Sequence, residues 1–227
     1  MKKLLRYFSP FEWSLWLGSL VAITLSFLIG GDFFIWTLIA SLIGVTALIF
    51  LAKGNVIGQV LVIIFSTLYA VVSFKQRYFG EMITYLGMSL PSSLVACVSW
   101  LKNPSNKGAS EVQVAKMTGK KWIFLSVSAV AVTVLFYFIL RFFHTNRLLV
   151  STLSVTTSFF ASALMIFRSP AYAVAYAFND IVLIILWTLS CFTSLAYLPM
   201  VVCFFAFLCN DSYAFINWRK MQRLQNE

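Results

Sequence analysis

Long apolar runs separated by short polar breaks dominate the pattern of this chain. Each run is long enough to cross about 30 Å of hydrocarbon as a helix. The eight runs cover residues 11–29, 33–52, 56–74, 80–101, 122–143, 149–168, 172–193 and 197–218. Because a spanning segment must satisfy its own backbone hydrogen bonds, we predict an all-α integral membrane protein with eight transmembrane helices.

Composition agrees with this pattern. The 227 residues are 61% hydrophobic and 11% charged, whereas soluble domains are nearer to half apolar and a quarter charged. The basic start "MKKLLRYF" precedes an apolar run, as in a signal peptide, but no clear A-x-A-like cleavage site follows. We therefore interpret the first run as a retained transmembrane helix.

The distribution of basic residues predicts an orientation. If the N-terminus is cytoplasmic and the spans alternate, thirteen of the 17 Lys and Arg residues fall on the cytoplasmic side. This bias follows the positive-inside rule, so we expect a multi-pass protein of the cell membrane with both termini in the cytoplasm. The net charge of +10 then reflects topology and attraction to anionic lipid, and we expect the bilayer, not nucleic acid, as a partner.

A polar linker, "KNPSNKGASEVQVAKMTGKK" at 102–121, divides the chain into two sides that match at an offset of 118 residues. Trp100 falls on Trp218, and Tyr69 falls on Trp187. Three spans plus one linking span give two units of the same orientation, which is a parallel-repeat arrangement known among transporters. The predicted 1+3+1+3 parts are an extra N-terminal helix (1–32), a first three-helix repeat (33–101), the cytoplasmic linker (102–121), a linking helix (122–147), a second three-helix repeat (148–220) and a cytoplasmic tail (221–227).

Two Asn-Asp pairs lie inside predicted spans. Asn179 and Asp180 in span seven, and Asn210 and Asp211 in span eight, are each seven or eight residues from the cytoplasmic end of their span. That is a depth of about 11 Å at 1.5 Å per residue. An ionisable group there costs about 3 kcal/mol and normally faces a partner or a wet cavity. The pairs therefore form an interhelical polar lock, contact a ligand, or do both.

Aromatic residues accompany these polar groups. Asn179, Leu183 and Trp187 share one side of span seven at i, i+4 and i+8. An amide beside an aromatic plate suits a planar heteroaromatic ring, and a cationic ring would gain more through cation–π attraction. The alternative is that these aromatics belong to the interfacial belt or to helix packing. The first repeat offers a further polar and aromatic set, Gln59, Tyr69, Tyr85 and Glu81, of which Glu81 has Lys75 and Arg77 as alternative partners.

Features of enzymes are absent from the sequence. The single histidine, His144, falls in a predicted outer loop, and no Walker A motif, Gly-rich phosphate loop, C-x-x-C or metal-ligand spacing occurs. We predict no catalytic residues, no metal and no cofactor. Two classes remain, a carrier for a small polar aromatic metabolite and a structural or assembly membrane protein. The repeat, with its polar cluster in one half only, favours the carrier.

Four stretches resemble PnuC-type vitamin transporters over roughly residues 33–220. They are "KQRYFGEMITYLGMSLP", "SWLKNP", "YAFNDIVLIILW" and "NDSYAFINWRK". The resemblance implies a three-plus-one-plus-three plan similar to the SWEET fold, and facilitated diffusion of nicotinamide riboside that a cytoplasmic kinase traps by phosphorylation. Thiamine or riboflavin as substrate, and proton-coupled symport, are the alternatives. The oligomeric state is left open, a homo-oligomer included.

The resemblance also implies site residues. Asn179 and Trp187 correspond to an asparagine and a tryptophan of span seven in that family. We expect the nicotinamide ring to stack on aromatics including Trp187, with Asn179 and Gln59 bonding its polar groups. The expected substrate-binding set is Gln59, Tyr69, Tyr85, Asn179, Trp187 and Asn210, and the expected lock or gating set is Glu81, Asp180 and Asp211.

Overall fold

The computed structural model describes residues 7–31, 35–75, 79–105, 111–145 and 147–226. Within these ranges it contains eight helices that are long and apolar enough to cross a membrane. They are α1 (Pro10–Gly30), α2 (Ile35–Ala52), α3 (Val56–Lys75), α4 (Phe79–Thr84 and Leu90–Leu101, joined by a π-helical turn at Tyr85–Ser89), α5 (Gly119–Phe142), α6 (Leu148–Ile166), α7 (Ala171–Cys191) and α8 (Leu198–Asn226). The predicted all-α fold with eight spans is therefore confirmed.

The helices pack as two groups of three with two peripheral helices. In the first group α3 contacts both α2 and α4, and in the second group α7 contacts both α6 and α8. The groups meet at two seams, α4 against α6 and α8 against α2. Helix α1 packs on α2 and α8, and α5 packs on α6. Much of α5 is exposed and apolar, as expected of a surface that faces lipid.

A pair of tryptophans joins the two groups in a reciprocal way. Trp218 Nε1 on α8 donates to the Leu51 carbonyl at the end of α2, over 2.9 Å. Trp100 Nε1 on α4 donates to the Met165 carbonyl at the end of α6, over 3.2 Å. The two rings lie against each other with centroids 5.4 Å apart. Each tryptophan therefore bonds to the end of a helix in the other group, and we call Trp100 and Trp218 the tryptophan pair.

The linker crosses one end of the bundle as an extended strap. Its Val112 N–H donates to the Gly54 carbonyl (3.0 Å) in the α2–α3 turn, and its Ala115 N–H donates to the Arg168 carbonyl (3.0 Å) in the α6–α7 turn. Its Val114 N–H donates to Gln225 Oε1 near the end of α8 (2.8 Å). The strap therefore touches both groups of helices at one end of the bundle, which we call the linker face.

Two predicted helix boundaries differ from the observed ones by three residues or more. Helix α8 continues to Asn226, whereas the apolar run predicted an end at 218 and a tail at 221–227. The extension is rich in Lys, Arg, Gln, Met and Leu, which are good helix formers, and Gln225 ties it to the strap. Helix α5 begins at Gly119, three residues before the predicted 122. An apolar run identifies only the part of a helix that lies in the hydrocarbon core. Helical turns that continue into the polar headgroup region are therefore missed.

A central polar cavity as the candidate binding site

A cavity lies between the two groups of helices and is lined by α2, α3, α4, α6, α7 and α8. Its wall includes the rings of Phe65, Phe204 and Phe207. The polar lining residues are Ser66, Tyr85, Ser89, Ser158, Tyr176, Asn179, Asp180 and Asp211. A mostly apolar cavity with a few convergent polar groups is the usual form of a small-molecule site.

Asn179 is held in place by hydroxyl groups of the neighbouring helix α6. Its Oδ1 accepts hydrogen bonds from Thr157 Oγ1 (2.8 Å), Ser158 Oγ (3.1 Å) and Ser154 Oγ (3.5 Å). The side chain is buried. An amide has one acceptor oxygen and an NH₂ group with two donors. With the oxygen engaged by α6, the NH₂ group is the part that Asn179 can offer to a ligand.

Two carboxyl groups share the cavity wall. Asp180 on α7 and Asp211 on α8 are 2% and 3% exposed, and their side chains contact each other across the helix interface. Asp180 Oδ2 is buried and accepts no hydrogen bond from any residue that the structure describes. The cavity therefore contains an acidic pair with unused acceptor capacity.

The structure brings together the two aspartates of the Asn-Asp pairs but not the two asparagines. Asn179 faces α6, whereas Asn210 is fully buried outside the cavity lining and donates its Nδ2 to the Ala206 carbonyl of its own helix (2.8 Å). Neighbouring residues on a helix point about 100° apart. An Asn and the following Asp therefore cannot both face the same partner helix.

Two predicted polar residues of the first group are buried and do not line the cavity. Gln59 on α3 is fully buried, and neither its Oε1 nor its Nε2 bonds to a described residue. Glu81 on α4 is 2% exposed, and its Oε2 is likewise buried without a described partner. Arg77, one alternative partner of Glu81, lies outside the described residues. Both side chains therefore hold polar atoms in the protein interior without visible compensation.

The predicted aromatics form a chain that leads to the cavity. Trp187 on α7 is fully buried and donates its Nε1 to the Tyr69 hydroxyl over 3.2 Å. The Tyr69 ring lies 4.2 Å from the Tyr85 ring, between centroids. Of these three residues, Tyr85 lines the cavity, and Tyr69 and Trp187 lie behind it. Trp187 and Tyr69 are 118 residues apart, which is the offset at which the two sides of the sequence match.

Tyr85 reaches the cavity from an irregular part of α4. The turn Tyr85–Ser89 is π-helical, and it precedes Pro91 near the start of the following helical segment. Proline has no N–H to continue the helical hydrogen bonds, and π-helical turns are frequent at functional sites. The turn places both Tyr85 and Ser89 in the wall.

The α6 hydroxyls were missed by the sequence analysis. Ser154, Thr157 and Ser158 belong to the run "STLSVTTSFFAS" at 151–162, which carries several hydroxyls per turn inside an apolar span. Hydroxyl side chains in transmembrane helices commonly bond across helix interfaces. That enrichment was the available signal for the partners of Asn179.

Eight apolar helices around a central cavity with a few converging polar groups have the form of a membrane transporter for a small solute. The sequence profile of the family described as nicotinamide mononucleotide transporter matches residues 34–220. The chain belongs to this family.

Individual relatives agree with this assignment. The nicotinamide riboside transporter PnuC of Neisseria mucosa is 26% identical over 187 residues, which are 81% of this chain and 71% of the relative. That of Haemophilus influenzae is 27% identical over 191 residues, 83% of this chain and 81% of the relative. The crystal structure of the vitamin B3 transporter PnuC has the same fold, with a TM-score of 0.82 at 24% identity over 96% of this chain and 94% of that one.

Proposed function

We propose that this protein carries nicotinamide riboside across the cell membrane by facilitated diffusion, with the central cavity as the binding site. The names of the two curated relatives support the substrate. The observation that carries the proposal is the charge of the cavity. Its described lining residues include Asp180 and Asp211 and contain no Lys, Arg or His.

This charge distinguishes the riboside from its phosphorylated form. The riboside contains a cationic pyridinium ring and no phosphate. The mononucleotide adds a phosphate with a charge of about −1.5 to −2 at pH 7, which buried sites usually bind with Arg or Lys. Two carboxyl groups in contact stay together when one proton lies between them, so the acidic pair would carry a single negative charge. That charge would attract the cation and repel the phosphate.

The proposed contacts begin with residues already in the wall. The Asn179 NH₂ group would bond a polar group of the substrate, and Tyr85 would stack on its ring. Gln59 and Trp187 would contact the substrate only in a conformation in which the cavity is wider. An unpaired buried amide such as Gln59 costs about 1–3 kcal/mol, and a ligand contact in another conformation would offset that cost.

The cavity is small in this conformation. Its volume of about 60 Å³ is room for a few water molecules. Leu51 and Met165 line the cavity, and their carbonyls hold the tryptophan pair, which would therefore close the cavity at the linker face. We propose that α2–α4 and α6–α8 are the two repeats and that they rock about their two seams to expose the site to each side in turn.

The direction of net uptake would depend on chemistry after transport. The excess of basic residues supports a cytoplasmic position of the linker face by the positive-inside rule. A cytoplasmic kinase would trap the riboside by phosphorylation, since the product does not fit the acidic cavity. Proton-coupled symport is the second candidate, because the contact between Asp180 and Asp211 gives the cavity a group that can hold a proton.

Ligand binding to the purified protein tests the proposal. We expect nicotinamide riboside to bind, and nicotinamide mononucleotide to bind at least about 100-fold more weakly. Thiamine and riboflavin are titrated in the same calorimetric experiment. Thiamine is a cation of different shape and riboflavin is a neutral ring system, so the two compounds separate the effect of ligand charge from that of ligand shape. Equal affinity for the mononucleotide would contradict the charge argument, and binding of none of the four compounds would contradict the carrier function.

A further inference from the structure

A second concavity lies at the linker face, away from the central cavity. It has a volume of about 850 Å³ and lies between α5, α7, α8 and the strap. Its lining shares no residue with the central cavity. We call it the basic groove, and its lining residues are Ala115, Lys116, Met117, Trp122, Ser169, Pro170, Ala171, Phe215, Arg219, Gln222, Arg223 and Asn226.

The groove is positively charged without internal compensation. Lys116, Arg219 and Arg223 are exposed, and its described lining contains no Asp or Glu. Among the described residues none of the three cations forms a salt bridge. The three charges therefore remain available to an anionic ligand.

The opposite side of α8 provides a comparison. The cleft there contains Lys53 and Lys220, but Glu111 lines the same cleft. Lys53 is already paired with Glu12 at 3.0 Å. Among the described residues, the lining of the basic groove therefore has three cations and no carboxylate, whereas the lining of the opposite cleft includes Glu111.

The depth of the groove matches the lipid headgroups. Helix α8 has 29 residues, or about 43 Å at 1.5 Å per residue, whereas about 20 residues cross the hydrocarbon. Arg219 and Arg223 near its end therefore lie at headgroup level. Trp122 is the fourth residue of α5, and tryptophan prefers this interface. With Phe215 it gives the groove an apolar wall beside its cations.

We propose that the basic groove binds the phosphate of an anionic phospholipid from the leaflet at the linker face. Basic pockets between transmembrane helices on the cytoplasmic side bind such head groups, and the paired guanidinium groups suit phosphate oxygens. The acyl chains would lie along Trp122 and Phe215. Bound in this way, the lipid would connect α5 to α7, α8 and the strap. A soluble phosphate compound has the same anionic group as the phospholipid but lacks its acyl chains.

Native mass spectrometry of the detergent-solubilised full chain tests this proposal. The protein is titrated with dioleoylphosphatidylglycerol and, separately, with dioleoylphosphatidylcholine. We expect one phosphatidylglycerol molecule to bind at least tenfold more tightly than phosphatidylcholine. At about fivefold per basic residue, Arg219→Gln with Arg223→Gln should weaken phosphatidylglycerol about 30-fold.

The matched control is Lys220→Gln, which removes a neighbouring charge that faces the other cleft and should leave the affinity unchanged. Thermal unfolding of each variant shows that it is folded, and Arg223→Gln alone provides a milder change. Equal binding of the two lipids, or an unchanged affinity in the double variant, would overturn the proposal. Displacement of the lipid by equimolar inorganic phosphate would overturn the assignment to lipid and identify a soluble phosphate as the ligand.

Discussion

Single side chains decide what the central cavity can hold, and Asn179 is the clearest case. Asn179→Leu removes both the acceptor of the α6 hydroxyls and the NH₂ group offered to the substrate. A lost polar contact of this kind costs about 1–3 kcal/mol, so we expect the affinity for nicotinamide riboside to fall about 5- to 150-fold. Calorimetric titration measures the change in affinity, and thermal unfolding measures the change in stability that follows from the lost hydrogen bonds to α6.

The control for Asn179 is Thr157→Val. It deletes one hydroxyl that bonds the Asn179 oxygen and leaves the amide in place. We expect its affinity to stay within a few-fold of the unmodified protein. Lost stability with unchanged affinity in Asn179→Leu would exclude Asn179 as a substrate contact.

The acidic pair gives a second prediction at this scale. Asp180→Asn with Asp211→Asn removes the negative charge, whereas Asp211→Asn alone leaves one carboxylate. We compare the cationic riboside with its reduced, neutral dihydro form, which has nearly the same shape. The unmodified protein and the single variant should prefer the cation by at least about tenfold, because opposite charges a few ångströms apart attract by several kcal/mol at low effective dielectric. The double variant should lose this preference, and a retained preference would contradict the charge match.

Sequence predicted part of this site because polar residues are conspicuous inside apolar spans. Asn179, Asp180 and Asp211 stood out for that reason, and all three line the cavity. Whether Gln59 or Trp187 reaches the wall depends on the rotation of α3 and α7, which a nearly uniform apolar pattern does not encode. Helices that are apolar on all sides lack the polar face that would fix their rotation.

At the scale of elements, the tryptophan pair ties the helix ends of one group to those of the other. Trp100→Phe and Trp218→Phe each delete one Nε1 donor and keep the aromatic ring. Each variant should lose about 1 kcal/mol of stability through the lost indole hydrogen bond, in similar amounts if the positions are equivalent. The Leu51 and Met165 carbonyls still accept the N–H groups of Gly54 and Arg168. Because the rings touch, the double variant should deviate from additivity.

Thermal unfolding in one detergent measures these changes. Trp122→Phe is the control, since Trp122 lies at the surface beside α6 and should tolerate the change. A large loss in Trp218→Phe with none in Trp100→Phe would show that the two contacts are not equivalent.

Span number and most span ends followed from hydropathy, whereas the elements outside the hydrocarbon did not. From the sequence, the strap at 111–117 is recognisable only as part of a polar linker. Its hydrogen bonds to Gly54, Arg168 and Gln225 form because three distant segments of the chain meet at the linker face. Gly87 and Pro91 indicate an irregular part of this run, but they do not specify the π-helical turn at Tyr85–Ser89. Local pattern identifies a helix, and tertiary packing determines its irregularities.

For the molecule as a whole, the two groups of helices meet at two seams, α4 against α6 and α8 against α2, around the central cavity. The offset of 118 residues, found in the sequence, recurs in two contacting pairs, Tyr69 with Trp187 and Trp100 with Trp218. In the proposed repeat arrangement, residues that meet their own equivalents would lie near the axis that relates the two repeats. The proposed rocking of one repeat against the other would then move a bound solute without an external source of energy.

Flux into proteoliposomes without kinase tests facilitated diffusion of nicotinamide riboside most directly. The purified protein is reconstituted, labelled riboside is added outside, and internal label is followed with and without imposed proton and sodium gradients. We predict that internal riboside levels off at the external concentration under every gradient, because an uncoupled carrier only relaxes the gradient of its substrate. Uphill accumulation driven by the proton gradient, and abolished by Asp180→Asn, would contradict this account and establish a proton-coupled symporter.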